Sequence, residues 1–212
     1  MEMIIELMEA DTGVAFMPYV TPPPRDQRIL IVSDAAGNAD DNMRTYRGGA
    51  AAIITPKAKV THTVMYEWSS EEILQHSTAL EIASAIMAIR TVHQRQIDGT
   101  LPLHDIVVVL DNSAAVASMR RNGAHSNSIK DLITSWTHLQ MELPARQRIF
   151  IFWASREHEV EIADALSKGD IAKADSMLAA RDLPPTAAKA WMPTHPPAFN
   201  FELPLTRTQL DR

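Results

Sequence analysis

The sequence predicts an α/β domain, a five-stranded mixed sheet with helices on its faces. Three observations carry this. Short β-branched apolar runs recur, the clearest being Asp105-Ile106-Val107-Val108-Val109-Leu110-Asp111, as expected of strands buried on both faces. Segments with helical caps and spacing lie between the later runs. The order is three strands, a helix, a strand, two helices, a strand and a helix, which places helices over the faces of one sheet.

Taken in order, residues 1–27 form an extension: a short amphipathic run at 3–8, then Pro22-Pro23-Pro24, a stiff connector that suits neither a helix interior nor a central strand. The fold proper begins with Arg28-Ile29-Leu30-Ile31-Val32-Ser33-Asp34, a nearly continuous apolar run that reads as the first strand. A polar insert at 37–47 leads to a second strand at 48–54, and alternation in Val60, His62, Val64 and Tyr66 marks a third at 59–66. Short links between these three predict an antiparallel meander. Ser69 and Ser70 before Glu71 and Glu72 read as a helix start, the hydroxyls capping free amides and the carboxylates suiting the positive end, with the helix running to about residue 96 and closing at Asp98-Gly99. The strand at 105–111 follows, then a short helix at 113–121 closed by Asn122-Gly123, and another at 128–143 stopped by Pro144. A fifth strand at 148–154 and a helix at 157–167 complete the pattern. Residues 171–181 allow one more helix, and a tail carrying Pro184-Pro185 and Pro196-Pro197 ends the chain. The expected organisation is 1–27 extension, 28–170 main domain, 171–212 helix plus proline-rich extension.

Composition narrows the function. The chain has 212 residues, 46% hydrophobic and 22% charged, the balance of a soluble globular protein. Its longest apolar runs are strand-sized, far short of the ~20 residues of a membrane helix, so no membrane partner is expected. The first ten residues hold glutamates but no Lys or Arg, unlike a signal peptide, and an intracellular setting, cytoplasmic or nuclear, is expected. The absence of cysteine excludes disulfides, thiolate metal sites and cysteine nucleophiles. A net charge of −6 argues against gripping nucleic acid by bulk positive charge, but not against a nucleic-acid enzyme whose acidic site is neutralised by divalent ions.

Four carboxylates fall where the elements would gather them. Asp34 ends the first strand, Asp111 ends the fourth, Glu81 interrupts the apolar helical run Ala79-Leu80-Glu81-Ile82-Ala83, and Asp164 lies in Ile162-Ala163-Asp164-Ala165-Leu166. Carboxylates are normally kept off buried helix faces. Like charges placed together cannot all ionise unless something positive sits between them, and magnesium, a hard cation that takes carboxylate oxygens, is the natural counterion.

Five segments in this order, Ile31-Val32-Ser33-Asp34, Gly48-Gly49-Ala50-Ala51-Ala52, residues 77–86 around Glu81, Val108-Val109-Leu110-Asp111-Asn112 and residues 160–167 around Asp164, resemble the ribonuclease H family. Asp111-Asn112-Ser113-Ala114-Ala115 and Ala163-Asp164-Ala165-Leu166-Ser167 look most like the ribonuclease H domains of retrotransposon reverse transcriptases. The resemblance spans 28–170. It implies a ribonuclease H-like fold and a metal-dependent endonuclease that hydrolyses the RNA strand of an RNA/DNA hybrid, leaving a 5′-phosphate. It also implies two Mg²⁺ or Mn²⁺ ions on Asp34, Glu81, Asp111 and Asp164. In this assignment Asp34 bridges both ions, Glu81 and Asp111 hold one, and Asp164 helps hold the other. An adjoining polymerase domain or other polyprotein segment is the expected partner beside the hybrid.

Some positions depart from the family. His158 is the candidate for the accessory histidine that aids product release, yet stands six residues before Asp164, closer than usual. Ser77 and Thr78 replace asparagines that touch the RNA backbone, though hydroxyls can still meet a 2′-OH. Asn112, Arg120 and Arg121 are further candidate nucleic-acid contacts, with Arg44, Arg47, Lys57 and Lys59 as scattered cations; no long basic protrusion is present, so weak hybrid binding by the isolated chain is expected. Trp68, Trp136 and Trp153 read as core or edge packing and not as base-stacking platforms, the histidines show no zinc-ligand spacing, and Gly48-Gly49 reads as a tight turn or close sheet packing. Three other readings compete. A 3′–5′ exonuclease of this fold would want a carboxylate where Ala36 stands. A transposase or integrase core would use a glutamate on the last helix, for which Glu161 is available. A catalytically inactive scaffold of a polyprotein would have no reason to keep four carboxylates.

Overall fold

The computed structural model describes residues 23–37, 47–55, 60–124, 126–156 and 160–185. The N-terminal run at 3–8, most of the polar insert, Arg44, Lys57, Lys59, His158 and the proline-rich tail beyond 185 lie outside the described residues.

Five strands, β1 (Arg28–Ala35), β2 (Gly48–Thr55), β3 (Val60–Glu67), β4 (Asp105–Leu110) and β5 (Ile149–Trp153), form one sheet in the order β3-β2-β1-β4-β5. The first three pair antiparallel, as the short links required, while β1 with β4 and β4 with β5 pair parallel through helical crossovers. The helices are α1 (Ser77–Ile97), α2 (Ser113–Arg121), α3 (Asn127–Glu142), α4 (Val160–Ser167) and α5 (Ile171–Ala179). The expected five-stranded mixed sheet with helices on its faces is the observed architecture.

The continuous apolar runs of β1 and β4 are explained by burial on both faces. Ile29 and Ile31 point into a core with Ile82, Ile86 and Ile89 of α1, Met119 of α2 and Trp136 of α3. The alternate residues Leu30 and Val32 face the other side with Val107, Val109, Val160 and Ala163. Each such aliphatic side chain contributes roughly 1.5–3 kcal/mol on burial, so the central strands are fixed in register from both sides. On that second side α5 closes the layer, Ala174 and Leu178 packing with Ile162, Leu166 and Met65.

The long helix begins later than the sequence predicts. Ser69 and Glu72 do form a reciprocal cap, the Ser69 N–H donating to Glu72 Oε2 at 2.8 Å and the Glu72 N–H to Ser69 Oγ at 3.2 Å. They close only a single 3-10 turn, Glu72–Leu74. Tyr66 Oη also donates to the Glu72 carboxylate, tying this turn to β3, and Gln75 and His76 then run extended. His76 caps α1 instead, its Nδ1 accepting from the Thr78 N–H at 3.2 Å.

Gly49 of β2 serves close packing. A Cβ there would lie 2.8 Å and 2.9 Å from the Trp68 ring and 3.0 Å from Ser84 Oγ of α1, so a side chain would collide with Trp68.

Candidate metal centre

Parallel pairing of β1 with β4 brings two of the predicted carboxylates together. Val32 pairs with Val109; two residues further along both chains stand Asp34 and Asp111, at the same carboxyl edge of the sheet. Such edges are where open α/β sheets place their sites. Glu81, in the first half of α1, reaches the end of β1, where the Ala35 N–H donates to its carboxylate. Asp34, Glu81 and Asp111 each offer an oxygen, and the three oxygens lie within 4.8 Å of one another. Asp34 is 2% exposed and Glu81 4%.

Asp164 is brought to the same end by α4. An isolated helix of eight residues is marginal in water; here the residues from Ile162 to Ser167 are all buried, so packing on β1 and β2 holds the helix. Asp164 lies outside the tight triad and joins it through two chain groups. Arg156 Nε donates to Asp111 Oδ2 at 2.8 Å and stands 3.8 Å from Asp164 Oδ1. Ser167 Oγ donates to Asp34 Oδ2 at 2.6 Å and is 3.0 Å from the Asp164 carbonyl oxygen. Lys168 Nζ makes a further ion pair with Asp164 Oδ1.

The electrostatics are those of a site short of positive charge. Burial, offset in part by the Ser167 hydrogen bond and reinforced by Asp111 and Asp164, pushes the Asp34 carboxyl up to about 6. Burial and then the charges of Asp34 and Asp111 push Glu81 well above the usual carboxylate range. Among the described residues neither Asp34 Oδ1 nor Glu81 Oε2 has a hydrogen-bond partner, although both are buried. Buried carboxylate oxygens left bare are costly. Three converging carboxylates, two of them with a bare oxygen, fit a hard divalent cation.

Beneath the triad, hydroxyls pin α1 to the sheet. Ser84 Oγ donates to the Asp34 carbonyl at 3.0 Å and shares a 2.9 Å hydrogen bond with Ser33 Oγ. This fixes the backbone from which Asp34 projects.

The remaining predicted contacts stand at the start of α1 and at the two ends of α2. Ser77 is exposed at the start of α1, whereas Thr78 is buried at 4% exposure. Asn112 uses its side-chain oxygen to cap α2, accepting from the Ala115 N–H at 3.0 Å. Arg120 donates through Nε to the Ile151 carbonyl at 2.7 Å and lies over the Phe152 ring, while Arg121 is exposed. Glu161 pairs with Lys173 of α5 at 3.4 Å. Trp68 and Trp136 are buried in the core, and Trp153, at the end of the edge strand β5, is 46% exposed, its Nε1 donating to the Asp111 carbonyl at 2.8 Å.

Sequence reasoning missed Arg156, Ser167 and Lys168. Ser167 offered a local signal, three residues beyond Asp164 and so on the same helix face. Arg156 offered a weaker one, a cation just past a strand that ends at the edge carrying both aspartates.

No family model matches the sequence, and no curated protein matches it. Solved structures do. The LC11 ribonuclease H1 isolated from compost, in complex with an RNA/DNA hybrid, superposes with a TM-score of 0.50 at 17% identity, over 69% of this chain and 98% of that one. Ribonuclease H1 from the halophilic archaeon Halobacterium salinarum gives 0.49 at 12% identity, over 69% and 98%. The foamy viral protease-reverse transcriptase in complex with RNA/DNA hybrid gives 0.45 at 11% identity, over 76% of this chain and 22% of that one. The chain has the ribonuclease H fold.

Proposed function

We propose that this chain is a metal-dependent endonuclease that hydrolyses the RNA strand of RNA/DNA hybrids, acting within a reverse-transcriptase polyprotein beside a polymerase domain. The observation that carries the reading is the triad: Asp34, Glu81 and Asp111 converge within 4.8 Å, with bare buried oxygens on Asp34 and Glu81. A scaffold would gain nothing from holding carboxylates at this cost. The hybrid bound to the LC11 enzyme supports the substrate class.

In this reading Asp34, Glu81 and Asp111 would hold one divalent ion, and Asp34 with Asp164 would hold a second. Mg²⁺ or Mn²⁺ held there would supply an activated water and charge stabilisation of the departing 3′ oxygen, the chemistry of two-metal phosphodiester hydrolysis. The Ser167 hydrogen bond favours the ionised form of Asp34 and orients it. Ser77, exposed at the start of α1 four residues before Glu81, would meet a ribose 2′-OH, the group that separates RNA from DNA. The net charge of −6 means that the chain alone grips its substrate weakly, and a polymerase neighbour would supply the missing affinity.

The test is a substrate panel: end-labelled hybrid, both single strands and both homoduplexes, incubated with Mg²⁺, Mn²⁺ or EDTA. Cutting confined to hybrid RNA, with 5′-phosphate products, is expected. Cutting of single-stranded RNA or DNA duplex at equal rate would refute the substrate assignment.

A further inference from the structure

The two sides of the acidic site are served differently. Asp111 and Asp164 are paired within the chain, Arg156 at 2.8 Å from the first and 3.8 Å from the second and Lys168 on the latter, whereas Asp34 Oδ1 and Glu81 Oε2 have no hydrogen-bond partner among the described residues. Arg156 belongs to neither strand nor helix, and its side chain is 61% exposed. It can therefore leave Asp111 without disturbing either core.

Building on the metal-dependent reading above, we propose that Arg156 is a displaceable counter-cation. It holds Asp111 and Asp164 in the metal-free protein and competes with the divalent ion for Asp111, so that it sets the metal affinity of the site. Whichever Asp111 oxygen an ion takes, a guanidinium bonded to that carboxylate is a like charge at close range. Arginine stays charged at every working pH, so the contact ends only by displacement. A guanidinium moved off Asp111 remains at the rim, and its fork matches the oxygens of a phosphodiester. Arg156 is thus a positioning residue that a metal, and then a substrate phosphate, draws away from the acidic cluster.

The test is calorimetric titration of the purified full chain with Mn²⁺, comparing the parent with Arg156→Gln and Arg156→Lys, and with Asp34→Asn as control. Arg156→Gln is expected to bind Mn²⁺ about tenfold more tightly, the scale of one charge-assisted contact. Arg156→Lys, which keeps the charge but loses the fork, is expected between it and the parent. Melting in EDTA is expected at lower temperature for Arg156→Gln, with a larger gain on adding Mn²⁺. A folded Arg156→Gln variant, or an Arg156→Lys variant, that binds Mn²⁺ with the parent's affinity or more weakly would overturn the proposal. If the parent binds no Mn²⁺ and melts identically with and without it, as Asp34→Asn is expected to do, the metal-dependent reading itself fails and this one with it.

Discussion

Replacing Asp34 by Asn should stabilise the metal-free protein while abolishing cleavage. Asp34 is 2% exposed, and its carboxyl is raised from 3.8 to about 6, by burial first and by Asp111 and Asp164 after the Ser167 hydrogen bond is allowed for. A rise of that size corresponds to roughly 3 kcal/mol of destabilisation once the group is forced to ionise. The sign follows from proton linkage. Between 3.8 and about 6 the folded chain binds the proton more tightly than the unfolded chain, so stability falls as pH rises through that window and the loss is complete above it. The amide of Asp34→Asn never ionises and keeps an oxygen for Ser167 Oγ to donate to. It also removes a charge that raises Glu81. In EDTA at neutral pH the variant should therefore be more stable by about 1–3 kcal/mol, a rise in melting temperature of about 2–4 °C per kcal/mol for a chain of this size. Near pH 4 the gain should vanish. The assay is urea unfolding followed by circular dichroism across that pH range, repeated with millimolar Mg²⁺, which should stabilise the parent but not the variant. A variant less stable than the parent at neutral pH, or a gain of equal size at both ends of the range, would refute the reasoning.

Glu81→Gln should fold normally and lose Mg²⁺-dependent cleavage, because it removes a ligand charge while leaving an acceptor for the Ala35 N–H; retention of cleavage in a gel assay would exclude Glu81 as a ligand. Ser167→Ala removes the 2.6 Å hydrogen bond that lowers the Asp34 pKa, so the acid limb of the pH–rate profile should move to higher pH, with a stability loss of about 1.5–3 kcal/mol for a bond to a charged group. An unmoved acid limb would count against Asp34 as the group titrating there. Gly49→Ala should destabilise the domain by about 1–3 kcal/mol through collision with the Trp68 ring, read as a lower denaturation midpoint and a changed Trp signal.

The acidic triad was legible from the joint placement of its members along the predicted elements. Asp34 and Asp111 end strands whose unbroken apolar runs mark them as central, and central parallel strands share a carboxyl edge. Glu81 stood out as a charge inside an apolar helical stretch. What the sequence hid was long-range partnership. The Ser167 hydroxyl finds Asp34 across 133 residues, and Arg156 finds Asp111 across 45, contacts that no local spacing encodes. Arg120, a candidate phosphate contact by its charge, likewise has partners the sequence does not announce, the Ile151 carbonyl and the Phe152 ring of the edge strand β5. The α1 start was misplaced for a similar reason. Ser69 and Glu72 have the right cap chemistry, but Tyr66 of β3 claims the same carboxylate and confines it to one turn.

The most direct measurement is single-turnover cleavage of a labelled RNA/DNA hybrid by the parent and by Asp34→Asn, each with Mg²⁺ and with EDTA. RNA-strand cutting by the parent in Mg²⁺, absent in EDTA and absent in the variant under both conditions, is the expected result. Equal cutting by parent and variant, or cutting that persists in EDTA, would contradict a metal centre built on Asp34.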